Sequence, residues 1–196
     1  MSAVGRDRDT ETRAAETDAD LVARARGGSS EAFTRLVQRH ELALYRFLRV
    51  HTGNARLAEE VQQDAFVRCW TKLHLFDRAL PFRPWLLRLA ANIAHSERRA
   101  RARARTEPLG EIADERDPAA LAAAHDESRN LWQLAERALP RTSCSALWLC
   151  HVEGLPAATI GDVLGKTEGA IRTLLSRSRA QLATLLRGQR PFLEVR

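Results

Sequence analysis

Residues 156–179 read PAATIGDVLGKTEGAIRTLLSRSR and give the strongest indication of fold in this chain of 196 residues. Pro156 can open a helix that Gly165 closes, and Thr167 can cap the helix that follows. Two short helices joined by a tight turn with glycine form a helix-turn-helix, whose second helix enters the major groove of DNA. The stretch therefore predicts an α-helical domain that binds duplex DNA. An ordinary helical hairpin with a solvated basic face is the alternative.

The predicted second helix has an apolar and a polar side. Its apolar stripe keeps helical spacing from Ile171 to Leu186. Donors that project away from the stripe or flank it, with the lysine of the turn, are candidates for DNA contact: Lys166, Arg172, Thr173, Ser176, Arg177 and Arg179. Arg172 can bond a guanine through two nitrogens, whereas Arg177 or Arg179 is better suited to a phosphate.

A helical zone over residues 128–187 contains this motif. Pro140 is predicted to end its first helix, and Thr142 or Ser143 to cap the next one. A short tail, residues 188–196, follows the zone. Together these segments predict a small C-terminal domain of four helices.

A second helical zone covers residues 20–105 and follows a polar segment, 1–19, that is predicted to be a disordered tail. Helix N-caps are predicted at Asp20, at Ser29 or Ser30, and at Asn54. Residues 106–127 hold seven acidic residues against one arginine, which indicates a linker. Because strand-like alternation is missing from the sequence, we expect an all-α protein of two small helical domains joined by a flexible acidic linker.

The helix that Asn54 begins carries polar side chains beside its apolar stripe. Glu60, Gln63 and Asp64 lie mainly off the stripe of Ala58, Val61, Ala65, Cys69 and Leu73. An exposed row of acids and amides suits a protein partner better than a ligand pocket.

An arginine run ends the last helix of this zone, with five arginines and no acid in residues 98–105. A fixed basic helix suits phosphate contacts, and its candidate residues include Arg98, Arg99 and Arg101. The loop at residues 74–81 lies beside three aromatics that can form a stacking surface for an unpaired base: Phe76, Phe82 and Trp85. The alternatives are core packing for Phe82 and Trp85, and a solvated or disordered charge run for the arginines.

Three segments, in the same order along the chain, resemble bacterial RNA polymerase sigma factors. They are residues 58–70, residues 82–92 with the arginines that follow, and the C-terminal set Leu139-Pro140, Glu153-Gly154-Leu155, 160–165 and 169–172 with Arg177 and Arg179. The resemblance covers about residues 20–187. It points to the extracytoplasmic-function (ECF, group IV) subgroup because it includes neither an extra N-terminal region nor a middle domain.

The resemblance implies roles for the candidate residues. Glu60, Gln63 and Asp64 match positions that contact the clamp of the polymerase largest subunit. The loop 74–82 matches the segment that captures a flipped base of the −10 promoter element, and Asn92 matches a position near that strand. The arginines that match positions around the −35 element are Arg172, Arg177 and Arg179.

The resemblance also implies partners and excludes a reaction. Core RNA polymerase, promoter DNA and an anti-sigma factor are the expected partners, and the acidic linker is expected to pass through or near the polymerase active-site channel. Catalysis belongs to the polymerase, so we expect no enzymatic activity, no catalytic residue and no cofactor.

Composition limits the other classes of function. A formal net charge of +6 with 44% hydrophobic residues fits a soluble protein with a polyanionic partner. No apolar run approaches ~20 residues and the N-terminus lacks a secretory signal, so we expect no membrane insertion. Three cysteines are an odd and sparse set that fits a reducing cytoplasm.

Two rival functions remain at this level. A free-standing helix-turn-helix regulator is the first, although it needs a dimerisation or ligand-sensing domain. A metalloprotein is the second, because Cys144, Cys150 and His151 are potential zinc ligands. Their spacing lacks a C-x-x-C pair, and neighbouring residues on a helix point about 100° apart, so we expect no metal site.

Overall fold

The computed structural model describes residues 16–104 and 126–189, and it contains no strand in these ranges. Eight α-helices occur there: α1 (Asp18–Arg26), α2 (Ser30–Thr52), α3 (Ala55–Lys72), α4 (Phe82–Ala104), α5 (Asp126–Ala138), α6 (Arg141–His151), α7 (Ala157–Leu164) and α8 (Glu168–Gln189). A single 3-10 turn, Leu73–Leu75, follows α3. The all-α fold is confirmed. Most of the predicted linker, both tails up to residue 15 and from residue 190, and Arg105 lie outside the described residues.

The N-terminal domain is built from α1 to α4. Thr17 caps α1, which corrects the prediction that Asp20 does so. Asp20 is the third residue of the helix, and its carboxylate accepts a bond from the Thr17 amide at 3.1 Å, which closes a capping box. Asp18 then ties α1 to α2, because its oxygens lie 2.7 Å from Arg39 and 2.8 Å from His40.

The caps predicted for α2 and α3 are confirmed. The Ser29 hydroxyl accepts a bond from the Ala32 amide at 3.2 Å, and Asn54 accepts one from the Leu57 amide at 2.8 Å. Gly53 stops α2 with a φ of 68°, in the left-handed region that favours glycine. The core of the domain is aliphatic and aromatic, and its fully buried side chains include Leu21, Leu36, Leu44, Phe47, Leu48, Leu86, Leu87 and Ile93.

The C-terminal domain is built from α5 to α8. The prediction that Thr142 or Ser143 caps α6 is wrong: Pro140 stands at the N-cap and no side-chain bond closes that end. The Ser143 side chain is buried instead. Pro156 and Gly165 bound α7 as predicted, and the Trp132 and Trp148 rings pack at 5.1 Å between α5 and α6.

The two domains pack directly against each other. Helix α2 contacts α6, and α4 contacts α7. The His51 Nδ1 atom lies 2.9 Å from the Ser145 Oγ atom, and the guanidinium of Arg141 lies against Gly53, where a Cβ atom would stand 1.5 Å from its Cζ atom. Seven consecutive residues of α6, 143–149, are buried because the helix has neighbours on both sides.

Candidate nucleic-acid interface

The helix-turn-helix is formed by α7, the turn at residues 165–167 and α8. The Thr167 hydroxyl accepts a bond from the Ala170 amide at 3.3 Å, so the predicted cap of α8 is confirmed. The turn lies so close to α7 that a Cβ atom on Gly161 would stand 2.5 Å from the Lys166 carbonyl oxygen. A glycine at this position therefore permits the close approach of turn and helix.

The outer face of α8 carries the predicted donors. Ile171, Leu175 and Ser178 are buried against the rest of the domain. The exposed side holds Lys166 in the turn and then Arg172, Thr173, Ser176, Arg177 and Arg179. This placement is the one that base and phosphate contacts in a major groove require.

Two of these arginines have protein partners. The Nη2 and Nε atoms of Arg172 lie 2.5 and 3.0 Å from one oxygen of Glu168, on the preceding turn of α8. Both side chains are exposed, so the pair adds little stability and a base edge can replace the carboxylate.

The neighbouring donor, Thr173, is also bonded within α8: its hydroxyl donates to the Gly169 carbonyl oxygen at 3.0 Å.

Arg179 lies across the end of α6. Its Nη2 atom lies 3.4 Å from the Cys150 sulfur, and its Nε atom lies 3.3 Å from the Nε2 atom of His151. Two of the three side chains named as potential zinc ligands thus contact an arginine, and the third, Cys144, is buried. Among the described residues, no group of three or more His, Cys, Asp or Glu side chains is placed to hold a metal ion.

Helix α4 is the basic element of the N-terminal domain. Asn92, Arg98, Arg99 and Arg101 are exposed along it. The Arg101 Nη2 atom lies 2.5 Å from the Glu60 Oε2 atom on α3. The predicted nucleic-acid face and the predicted partner face are therefore joined by an ion pair.

The three predicted aromatics form one cluster at the start of α4. The Phe76 ring centroid lies 5.0 Å from that of Trp85 and 5.7 Å from that of Phe82, and the His40 ring packs 5.2 Å from Phe82. Phe76 and Phe82 are each only 4% exposed, whereas Trp85 is half-buried. Of the three, Trp85 is the ring that reaches solvent.

The loop in front of this cluster is held by a residue that sequence reasoning missed. The Arg26 Nη2 atom donates to the His74 carbonyl oxygen at 3.0 Å, and its Nη1 atom donates to that of Phe76 at 3.4 Å. Asp77 accepts a bond from the Ala79 amide at 2.9 Å. Arg26 is the last residue of α1, far from the loop in sequence, so no local pattern points to it.

The polar side of α3 lies open to solvent. Glu60, Gln63 and Asp64 are all exposed, and Glu60 also pairs with Arg56 at 3.1 Å. Sequence reasoning missed the apolar residues next to them: Val67 is 64% exposed and Trp70 is 41% exposed. A mixed surface of this kind, with polar groups beside large apolar ones, is typical of a protein-binding site.

Family comparisons cover both domains. The sigma-70 region 2 family matches residues 36–104, and the sigma-70 region 4 family matches residues 131–182. The ECF RNA polymerase sigma factor SigM of Mycobacterium tuberculosis is 30% identical over 87% of this chain and 85% of its own length. The chain belongs to the ECF RNA polymerase sigma factors. Region 2 falls on α2 to α4, and region 4 falls on α5 to α8.

Other relatives of this sigma factor support the same family assignment. The ECF RNA polymerase sigma factor BldN of Streptomyces coelicolor is 30% identical, and the match covers 85% of this chain but only 65% of BldN. The solved structure of CnrH in complex with the cytosolic domain of CnrY superposes with a TM-score of 0.64 at 28% identity. That superposition covers 89% of this chain and 99% of CnrH, a sigma factor of Cupriavidus metallidurans. No helix of the described residues is long and apolar enough to cross a membrane.

Proposed function

We propose that this sigma factor, of the group IV type, binds core RNA polymerase in the cytoplasm and directs initiation at promoters with specific −10 and −35 elements. The chain itself has no enzymatic role, and the polymerase supplies the catalysis. The observation that carries the proposal is the exposed polar side of α3. Glu60, Gln63 and Asp64 face solvent beside Val67 and Trp70, and none of them is buried by the fold.

Region 20–105 is proposed to dock on the clamp and to hold the opened −10 strand. Trp85 is half-buried and packs against Phe76 and Phe82, and its solvent-accessible part is proposed to stack on an unpaired base. Asn92 and the arginines of α4 lie further along the same helix, where they can bind the backbone of that strand. Region 128–187 is proposed to read the −35 duplex through α8.

The packed domains must separate for both elements to be bound. The two elements are about 25 base pairs apart by their names, which is ~85 Å of duplex at the rise of B-DNA. A packed pair of domains of this size is roughly 40 Å across. The linker between residues 106 and 127 is long enough to span the difference, since extended residues cover about 3.3 Å each.

A protein inhibitor is the third proposed partner. CnrH, whose fold superposes on this one, was solved in complex with the cytosolic domain of CnrY. We propose that an anti-sigma factor binds this chain when it is not on the polymerase. The apolar side chains Val67 and Trp70 are exposed in the free chain. We propose that such a partner covers them and thereby competes with the polymerase.

The deciding experiment is binding to purified core polymerase without DNA, measured by co-elution in gel filtration. A sigma factor co-elutes, whereas a free-standing helix-turn-helix regulator does not. Transcription in vitro on a genomic library, followed by mapping of start sites, then tests promoter specificity. A chain that neither co-elutes nor directs initiation would contradict the proposal.

A further inference from the structure

A cavity of about 530 Å³ lies between the two domains. It is bounded by the C-terminal end of α2 and the middle of α4 on one side, and by the start of α6 and the helix-turn-helix turn on the other. Its volume is within the range of small-molecule sites in proteins. Because both domains contribute to its wall, a ligand here contacts both of them at once.

The polar part of this cavity's wall is cationic, and the rest of the wall is aliphatic. Arg98 comes from α4 and Lys166 from the turn, so each domain supplies a permanent positive charge. His51, His95 and Arg141 line the same space, and no aspartate or glutamate does. Thr52 and Thr142 add hydroxyl groups. The donors present are those that proteins use to bind phosphate oxygens.

The electrostatic surroundings of His51 agree with this description. Burial lowers the pKa of its imidazole, and together with the positive charges of Arg98 and His95 it brings the pKa to about 4. The contributions of Arg98 and His95, although smaller than that of burial, show positive potential at this end of the cavity. An anion in the cavity relieves the mutual repulsion of these groups.

The size and wall of the cavity define the anion. Duplex DNA is too wide to enter a cavity of this volume, although the cavity is partly open to solvent. No phenylalanine, tyrosine or tryptophan lines it, so it lacks a stacking surface for a purine. A compact group with several negative oxygens fits better than a bulky aromatic ligand.

We propose that this cavity binds a small molecule that carries a pyrophosphate or similarly compact polyphosphate group. The bound anion bridges Arg98 and Lys166 and holds the domains in the packed arrangement. Asn92 lines the same cavity, so three candidate DNA-binding residues are then withheld from the promoter. This inhibitory effect rests on the function proposed above, whereas the binding itself does not.

The test is isothermal titration of the full chain with inorganic pyrophosphate, at an ionic strength held constant with sodium chloride. Sodium sulfate serves as the comparison anion. The double variant Arg98→Gln/Lys166→Gln should bind pyrophosphate at least about tenfold more weakly, because each lost charge-assisted bond is worth about that factor. Both residues are exposed, so the variant is expected to fold, which circular dichroism checks.

The matched control is Arg88→Gln/Arg187→Gln, which removes the same charge from exposed positions on α4 and α8 outside the cavity. It should bind pyrophosphate within about twofold of the wild type, on the additivity of distant sites. Equal losses in the two double variants, or wild-type heats no larger with pyrophosphate than with sulfate, would overturn the proposal.

Further arms identify the ligand source and the effect. Equal affinity for ADP and pyrophosphate indicates recognition of the phosphate group alone, whereas tighter binding of ADP indicates a nucleotide. Small-angle scattering of the wild type should show a smaller radius of gyration with pyrophosphate than with sulfate, and an unchanged radius contradicts the bridging role. These measurements use the chain without polymerase. Their results therefore test the cavity independently of whether the chain binds polymerase.

Discussion

The Glu153 Oε2 atom lies 2.5 Å from the Nη2 atom of Arg83, and the two residues belong to different domains. The Glu153 side chain is only 2% exposed, whereas that of Arg83 is 44% exposed. Burial raises the pKa of the Glu153 carboxyl, although the charge of Arg83 acts in the opposite direction. A buried carboxylate with one charged neighbour depends on that neighbour. Arg83 follows Phe82 in the chain and belongs to region 2, so the pair ties region 2 to region 4.

Replacing Arg83 should therefore loosen the packed arrangement. Arg83→Ala leaves the Glu153 carboxylate buried without its cation, which costs about 1–3 kcal/mol of domain packing. Small-angle scattering should show a larger radius of gyration than in the wild type. The control Arg88→Ala, at an exposed position one to two turns along α4, should leave the radius unchanged. Identical scattering from both variants would show that the pair does not hold the domains.

Acid should open the same interface through His51. The pKa of His51 is lowered from 6.5 to about 4, first by burial and then by Arg98 and His95. Arg98 and His95 stay beside His51 when the domains separate, but the burial supplied by α6 is lost, so the packed form binds the proton more weakly than the open form. Its stability is complete above pH 6.5 and is lost as the pH falls from 6.5 towards 4, by up to about 3 kcal/mol.

The control for this prediction is His51→Gln, which keeps a donor for the Ser145 hydroxyl but has no charge to gain. The groups that share its surroundings are Arg98, His95, Arg141 and Lys166. Between pH 7 and pH 5 the radius of gyration, measured by small-angle scattering, should increase for the wild type and stay constant for the variant. The raised pKa of Glu153 favours the packed form as acid is added, so it cannot produce the expansion. An equal response of both proteins assigns the effect to other groups.

Charge reversal on α3 should abolish polymerase binding. Glu60→Lys/Asp64→Lys places cations on the exposed polar side without touching the core of the domain. Gel filtration with core polymerase should show no co-elution, while circular dichroism stays that of the wild type. Glu41→Lys, at an exposed position on α2, should still co-elute. Co-elution of the double variant would contradict the proposal that Glu60 and Asp64 bind the polymerase.

Arg172 should contribute base-specific contacts at the −35 element. Arg172→Ala is expected to weaken transcription from the cognate promoter by ~1–3 kcal/mol. Glu168→Ala, which releases the guanidinium from its carboxylate, should not weaken it. Templates with scrambled −35 sequences distinguish the two kinds of contact: a loss of equal size on them would mean that Arg172 binds a phosphate.

Gly53 should be sensitive to any side chain. A Cβ atom there meets the Arg141 guanidinium, and the φ of 68° is strained for alanine. Gly53→Ala is expected to lower the free energy of unfolding by about 1–2 kcal/mol, as measured by urea denaturation. Gly169→Ala in α8, where nothing lies within 4 Å of the added Cβ, should be neutral or stabilising. Similar losses in both variants would count against a specific role for Gly53.

Local signals in the sequence predicted local structure well. The caps Ser29, Asn54 and Thr167 were found because each hydroxyl or amide needs only an amide two or three residues away. Thr142 and Ser143 failed as caps because tertiary packing, with Ser143 in the interior and a proline at the N-cap, decides that end of α6. The exposure of the candidate DNA donors of α8 was also predictable from local sequence, because helical periodicity places them on the side of the helix away from the apolar stripe.

Contacts between distant segments could not be predicted in the same way. Arg83 and Glu153 are 70 positions apart, and neither belongs to a periodic pattern that names its partner. Phe76 and Phe82 are buried where α1 and α2 approach them, since Arg26 binds the Phe76 carbonyl oxygen and the His40 ring packs on Phe82. The sequence shows which side of a helix is apolar, but which other helix or loop packs against that side depends on the tertiary fold.

The contact between Arg101 and Glu60 has a thermodynamic consequence. One residue is proposed to bind the template and the other to bind the enzyme, and in the free chain each neutralises the other. When the polymerase clamp binds Glu60, the Arg101 guanidinium is freed to bind nucleic acid. When Arg101 binds nucleic acid, the Glu60 carboxylate is freed to bind the clamp. The two affinities are therefore expected to be coupled reciprocally. Because both side chains are nearly half exposed, the coupling is worth at most ~1 kcal/mol, so assembly of the holoenzyme strengthens promoter binding modestly.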